Sequence, residues 1–337
     1  MNTLLIAPQW IGDAVMTEPL MRRLHARGER ITVAALPWVA PVYRLMPHVS
    51  TTIELPFSHG GLQWTARRAL AKTLRGQFDR AVVCPNSLKS ALLPWWAGIP
   101  LRVGYLGEAR WGLLTERLPN PKKHERAPMV TFYVALSGEA AVSHDKPILV
   151  PDVGADSAAL SALGLDRHGY WAMAPGAEYG PAKRWPAEHF AALAQAVFQK
   201  TGQPVVLLGS SKDSAVCETI SRLANADSPN ACRDLSGKTR LDQAFSVIGN
   251  ARAMVSNDSG LMHIAAAFGV PQVALFGSSS PLHTPPLSDA AQVIWLKNAP
   301  HYLPRLDCAP CFARECPLGH TRCLRDITPA MVMERLF

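Results

Sequence analysis

The sequence predicts an α/β protein made of two doubly wound, Rossmann-like domains with parallel sheets. Three observations carry this. Short apolar strand-like segments alternate with helical ones in two separate series, which calls for parallel strands covered by helices on both faces. Polar turns containing Gly, Asp and Ser follow several of those strands, where open α/β sheets take their ligands. The chain has 337 residues, 48% of them hydrophobic and 18% charged, which is enough for two full cores of roughly 150 residues each.

In the first series the strand-like segments are Leu4–Ala7, Arg30–Ala35, Arg80–Cys84 and Arg102–Tyr105. They alternate with helical stretches near Ala14–Arg27, Leu62–Arg75 and Ser87–Ala97. The second series has strands at Tyr170–Ala174, Pro204–Leu208, Arg252–Ser256, Gln272–Phe276 and Gln292–Trp295. Its helices fall near Ala187–Lys200, Ser214–Ala224, Leu241–Ile248 and Gly260–Phe268. Between the two series, Lys146–Gly164 mixes Pro, Gly and Ser and reads as a linker. The expected organisation is a first domain over 1–155, a second over 156–325 and a C-terminal helix over 326–337, with the two domains facing each other across a cleft. Thr328 followed by Pro329 marks the start of that last helix.

No apolar run approaches the ~18 residues needed to span a bilayer. The N-terminus lacks a basic leader and passes directly into the first strand, and seven cysteines, an odd number, suit a reducing compartment better than a disulfide framework. A cytoplasmic protein is expected. The net charge of +8 implies acidic partners such as nucleotide phosphates, anionic lipid head groups or nucleic acid. Basic residues are dispersed and no stacking-aromatic motif accompanies them, so nucleic acid is not an expected partner.

Three segments can carry chemistry. The first loop, Pro8-Gln9-Trp10-Ile11-Gly12-Asp13-Ala14, contains one glycine where a dinucleotide fingerprint needs three, so hydride transfer loses its support. What it offers is Asp13, a carboxylate beside Trp10 and Ile11, as a candidate base or as a helix-start residue favoured by the dipole. The second segment is the long loop Pro175-Gly176-Ala177-Glu178-Tyr179-Gly180-Pro181-Ala182-Lys183-Arg184-Trp185-Pro186. It can wrap phosphates, with Lys183 as a compact charge and Arg184 as a bidentate donor or a partner of Glu178. The turn Ser256-Asn257-Asp258-Ser259-Gly260-Leu261-Met262-His263 joins a buried strand to a helix. Its free N–H groups at Ser259, Gly260 and Leu261 suit an anion, and Asp258 and His263 add an acceptor and a titratable donor. Read more plainly, Asp258 or Ser259 is an N-cap.

A further cluster, Cys308-x2-Cys311-x4-Cys316-x6-Cys323 with His320 inside it, departs from the paired C-x2-C spacing of zinc ribbons. Free thiols or a disulfide are expected there, and no metal.

Those loops, together with Pro85-Asn86-Ser87-Leu88-Lys89-Ser90-Ala91, occur in the order found in the ADP-heptose:lipopolysaccharide heptosyltransferases of glycosyltransferase family 9, which the chain resembles over nearly its whole length. The resemblance implies a GT-B fold and an inverting transfer of L-glycero-D-manno-heptose from ADP-heptose to the first heptose of a Kdo2-lipid A core intermediate. It places the general base on Asp13, the phosphate-facing lysine on Lys183 and donor contacts on Gly176, Asp258, Ser259, Gly260 and His263. Asp258 is expected to cap its helix and to accept from sugar hydroxyls. Asn86, Lys89, Arg102 and Arg110 become the candidate acceptor contacts, and Asp213 a weak candidate for holding the ribose. No cofactor is implied, with a need for Mg²⁺ left open. Leu92-Leu93-Pro94-Trp95-Trp96 can touch the membrane surface, giving a peripheral location on the cytoplasmic face of the inner membrane. Two other readings stand beside this one. One is a GT-B transferase or epimerase with another nucleotide sugar; the other is a non-catalytic binding protein for nucleotides or nucleic acid.

Overall fold

A computed structural model describes residues 1–57, 61–121, 127–140 and 146–337. The chain divides into two compact units, Met1–Val150 and Pro151–Phe337. In the first unit the order is β1 (Asn2–Ile6), α1 (Ile11–Met16), α2 (Glu18–Ala26), β2 (Arg30–Ala35), α3 (Ala40–Arg44), β3 (Thr51–Glu54), α4 (Trp64–Thr73), β4 (Arg80–Val83), α5 (Leu88–Trp96), β5 (Leu101–Tyr105), β6 (Glu116–Leu118) and α6 (Met129–Val134). The second unit runs α7 (Val153–Leu163), β7 (Trp171–Ala174), α8 (Ala187–Thr201), β8 (Val205–Leu207), α9 (Ser214–Asp227), β9 (Cys232–Asp234), α10 (Leu241–Gly249), β10 (Met254–Asn257), α11 (Gly260–Ala267), β11 (Gln272–Phe276), β12 (Ala291–Trp295), α12 (Arg322–Arg325) and α13 (Pro329–Leu336).

Both sheets are parallel and share one topology. The strand orders are β3-β2-β1-β4-β5-β6 and β12-β11-β10-β7-β8-β9, each with its first strand at the point where the order reverses. The central strands β4, β7, β10 and β11 are buried along their whole length, which is why they are mainly apolar rather than alternating. The loops that leave β1 and β4, and those that leave β7 and β10, therefore emerge beside each switch point, the ligand crevice of such sheets.

Several expectations need correction. The helix expected over Ala14–Arg27 is two helices, broken at Thr17, whose hydroxyl donates to the Ala14 carbonyl at 2.6 Å, with a proline in the first turn of α2. The expected linker is half helix: Asp152 caps α7 by accepting from Ala155 N at 3.0 Å, and Gly164 ends it in the left-handed region. Asp156 of α7 accepts from Asn250 at 3.1 Å, which ties this helix to α10 and moves the boundary from 155 to Val150/Pro151. Strands β3, β6 and β9 went unread because they are short and lie at or near sheet edges, with polar residues that look like turn. The last helix follows the reading: the Thr328 side chain accepts from Met331 N at 3.3 Å, with proline in the first turn. Among the described residues, no helix is long and apolar enough to cross a membrane.

Candidate active site

In the second unit the long loop of residues 175–186 is fixed by one buried asparagine at the end of β10. Asn257 donates to the Pro175 carbonyl at 2.7 Å and accepts from Trp185 N at 3.0 Å, so it staples both ends of the loop. Trp185 is buried and its indole N–H donates to the Ile327 carbonyl at 2.8 Å. The middle of the loop rests on residues 312–314. Ala182 N donates to the Arg314 carbonyl at 3.0 Å, and the Tyr179 hydroxyl donates to the Phe312 carbonyl at 2.9 Å.

This seating aims Lys183 at the neighbouring strand end. Its ammonium donates to Asp258 Oδ2 at 2.6 Å, joining two loops 75 residues apart in sequence. Asp258 is buried, and among the described residues its second oxygen meets a long contact of 3.4 Å from the Thr284 hydroxyl. The cap expected from Asp258 is absent. Ser259 occupies the N-cap position of α11 and makes no side-chain cap bond, so the first N–H groups of that helix stay available to a ligand. His263 is buried one turn into α11. Burial pushes its pKa down to about 4, against a smaller upward pull from Asp258 and a smaller downward one from Lys183. It is a neutral donor or acceptor near pH 7 rather than the titratable one expected.

Gly176 lies against Asp213: a Cβ there would stand 2.5 Å from its carboxyl carbon. Asp213 accepts from Ser210 N at 3.0 Å and Ser210 Oγ at 2.9 Å, and Arg184 approaches it to 3.7 Å. The carboxylate therefore closes the turn after β8 through Oδ2, and Arg184 approaches its Oδ1 instead of forming the suggested pair with Glu178. Glu178 pairs with Lys212 instead.

In the first unit Asp13 sits in the first turn of α1, half-buried, and its Oδ1 accepts from the Tyr133 hydroxyl at 3.1 Å. Tyr43, whose hydroxyl lies 3.2 Å from Thr17 Oγ1, and Cys84 are buried nearby. Burial raises the pKa of Tyr133, Tyr43 and Cys84, and the charge of Asp13 adds to each, so all three stay protonated around the carboxylate. Tyr133 was invisible to the sequence reading, since 120 residues separate it from Asp13.

Two of the four acceptor candidates are redirected. Arg110 is only 1% exposed and donates to the carbonyls of Tyr105 and Pro85 and to Asn86 Oδ1, and burial lowers its pKa to about 10. Arg102 donates to the carbonyls of Leu113, Ile99 and Pro100. Both guanidinium groups are engaged by main-chain carbonyls, Arg110 in the interior and Arg102 partly exposed. Asn86 is half-buried with Arg110 on its oxygen, and Lys89 is half-buried on α5. The four clustered cysteines, with His320, line a cavity of about 20 Å³. Among the described residues no three His, Cys, Asp or Glu side chains are grouped to hold a metal.

Residues 67–321 match the model of glycosyltransferase family 9 (heptosyltransferase). The chain is 41% identical to lipopolysaccharide heptosyltransferase 2 of Escherichia coli K12, over all of this chain and 97% of that one. It is 40% identical to lipooligosaccharide heptosyltransferase 2 of Haemophilus influenzae, over all of this chain and 98% of that one. The crystallised E. coli ADP-heptose lipopolysaccharide heptosyltransferase II superposes with a TM-score of 0.84 at 39% identity, covering all of this chain and 97% of the other.

Proposed function

The chain belongs to glycosyltransferase family 9, the heptosyltransferases, and from that premise we propose that it moves L-glycero-D-manno-heptose from ADP-heptose to the first heptose of the lipopolysaccharide inner core, with inversion at the anomeric carbon. The observation that carries the donor half is the Lys183–Asp258 pair beside the uncapped start of α11. Lys183 and the N–H groups at Ser259 and Gly260 hold the diphosphate, where negative charge grows as ADP departs. Asp258 accepts from sugar hydroxyls through its weakly engaged Oδ1, and neutral His263 lies close by. Gly176 keeps the loop close over Asp213.

On the acceptor side, Asp13 takes the proton from the incoming heptose hydroxyl, a role worth ~10²–10⁴-fold in rate. Lys89 and Asn86 remain the acceptor contacts, opposite the Kdo carboxylates and lipid A phosphates. No cofactor enters this scheme, because Lys183 and the α11 amides supply the charge opposite the diphosphate; turnover in EDTA decides whether Mg²⁺ adds to it. The acceptor is a lipid, so the enzyme works as a peripheral protein at the cytoplasmic face of the membrane, and nucleic acid is not its partner.

The test is ADP release with monoheptosylated Kdo2-lipid A compared with the unheptosylated acceptor. Asp13→Asn should keep donor affinity and lose turnover by at least ~100-fold, whereas Lys183→Ala should weaken donor binding as well. Near-normal turnover in Asp13→Asn removes the base assignment. Thermal protection by UDP- or GDP-sugars in place of ADP-heptose favours a transferase or epimerase with another donor.

A further inference from the structure

The sequence around α4 and α5 has an unusual charge pattern that the donor and base sites leave unused. Between Glu54 and Asp79 there is no acidic residue, and between Asp79 and Glu108 there is none again. The cations in these runs are not all alike. Arg67 is buried and directed over the Phe57 ring at 4.2 Å, and Arg102 is committed to main-chain carbonyls. Arg68 and Lys72 are exposed, and with Trp64 they fall at i, i+4 and i+8, one stripe of α4. Arg75, just past the helix end, is exposed as well and donates to the Trp96 carbonyl at 3.3 Å.

The same stripe is aromatic. The Trp64 ring meets Trp96 of α5 edge-on with centroids 4.6 Å apart, Trp96 lies 6.3 Å from Trp95, and the Arg68 guanidinium stands 6.0 Å over the Trp96 ring. Trp64 and Trp95 are 48% and 45% exposed, and Leu62, two residues before Trp64, is exposed as well. The segment Leu92–Pro94, expected to share in surface contact, is buried in the core of the unit, so only its aromatic end is outward. Two surface tryptophans joined through a third, amid arginine and lysine and without a carboxylate in the surrounding sequence, do not have the composition of an ordinary solvated helix face.

We propose that this α4–α5 face, centred on Trp64, Trp95, Arg68 and Lys72, is the surface by which the protein docks on an anionic lipid bilayer. The inference deepens the peripheral-membrane reading above and rests on it. Indole rings favour the head-group region of a bilayer, and arginine and lysine stems lie along apolar surface while their charges reach the lipid phosphates. Charge complementarity selects the bilayer over a second copy of this chain, since two such faces brought together would place like charges against each other.

The experiment is co-sedimentation of the full chain with vesicles of mixed phosphatidylethanolamine and phosphatidylglycerol, against phosphatidylcholine alone. The wild-type chain should bind the anionic vesicles, bind the neutral ones weakly, and lose most binding between about 0.1 M and about 0.5 M salt. Arg68→Glu with Lys72→Glu should weaken vesicle binding by about tenfold or more. Trp64→Ser with Trp95→Ser should weaken it at both salt concentrations, since an aromatic contact is not screened. Both double variants should keep the wild-type melting temperature and turnover on a deacylated, water-soluble acceptor. Wild-type binding undiminished in both variants overturns this surface alone. No wild-type binding to anionic vesicles overturns the surface and the peripheral-membrane reading together. Self-association of the wild type in sedimentation velocity, lost in the same variants, assigns the face to a second copy and also overturns the proposal.

Discussion

Replacing Gly180 by alanine tests whether the Lys183 loop depends on its seat. The new Cβ would lie 2.5 Å from the Arg314 carbonyl oxygen and 3.0 Å from that residue's carbonyl carbon and Cα, all main-chain atoms that cannot rotate aside. Ordinary contact begins near 3.4 Å, so the two segments must part by about 0.9 Å. Overpacking of this kind costs about 1–3 kcal/mol. Parting also stretches the hydrogen bond from Ala182 N to the same carbonyl, worth about 1 kcal/mol. A loss of roughly 2–4 kcal/mol in the unit Pro151–Phe337 should lower its melting temperature by roughly 5–15 °C. Lys183 lies three residues beyond the substitution, and a shift approaching 1 Å spoils its 2.6 Å contact with Asp258, so KM for the donor should rise about five- to tenfold. Differential scanning calorimetry and donor-dependent ADP release read the two effects. Gly112→Ala serves as a control, because a Cβ there meets nothing within 4 Å. A melting temperature within about 2 °C of wild type and an unchanged donor KM would refute the reasoning.

Two further predictions concern single side chains. Tyr133→Phe removes the donor at 3.1 Å from Asp13 Oδ1, a hydrogen bond to a charged group worth about 1.5–3 kcal/mol, so kcat should fall by roughly tenfold or more with little change in either KM. A wild-type kcat in this variant counts against Tyr133 as a positioning residue. His263 gives a stability test with a defined sign. Its folded-state pKa is depressed from 6.5 to about 4, so above pH 6.5 it contributes no pH dependence, and as pH falls from 6.5 to 4 the unfolded chain takes up the proton first. Stability from this group is therefore lost across that window, by about 3 kcal/mol in total. Denaturant titrations of His263→Gln should show a correspondingly flatter decline than wild type between those pH values, and parallel declines would show that the side chain is not held neutral.

Much of the second unit around these loops was legible because its signals are local. An apolar run that stops at polar residues, a glycine at the turn and an Ala-rich helix locate β10 and α11 within a few residues, and the same logic finds β7 and the loop after it. What was not legible depends on partners distant in sequence. Asn257 looked like one more turn residue, yet it fixes both ends of a loop 82 and 72 residues away. Arg102 and Arg110 read as acceptor contacts because an arginine has the same letter whether solvated or clamped on carbonyls, and only the folded partners show the main-chain bonds each makes. Asp213 drew attention as a carboxylate after a glycine-containing strand end, and the structure adds that one of its oxygens, Oδ2, closes the Ser210 turn.

On the proposed donor role, the Lys183–Asp258 pair holds a cation in place for an incoming diphosphate. Asp258 at 2.6 Å directs the Lys183 ammonium, and a neutral His263 adds no competing charge. When the diphosphate binds, the lysine has a second anion to share, and the N–H groups at the start of α11 carry the excess negative charge that one ammonium cannot balance. Asp258 then repels phosphate at its own position and leaves its Oδ1, engaged by the 3.4 Å Thr284 contact, for a neutral hydroxyl. On that reading one carboxylate fixes both the position of the lysine and the direction in which the nucleotide sugar lies, phosphate toward Lys183 and the helix start, sugar toward Asp258.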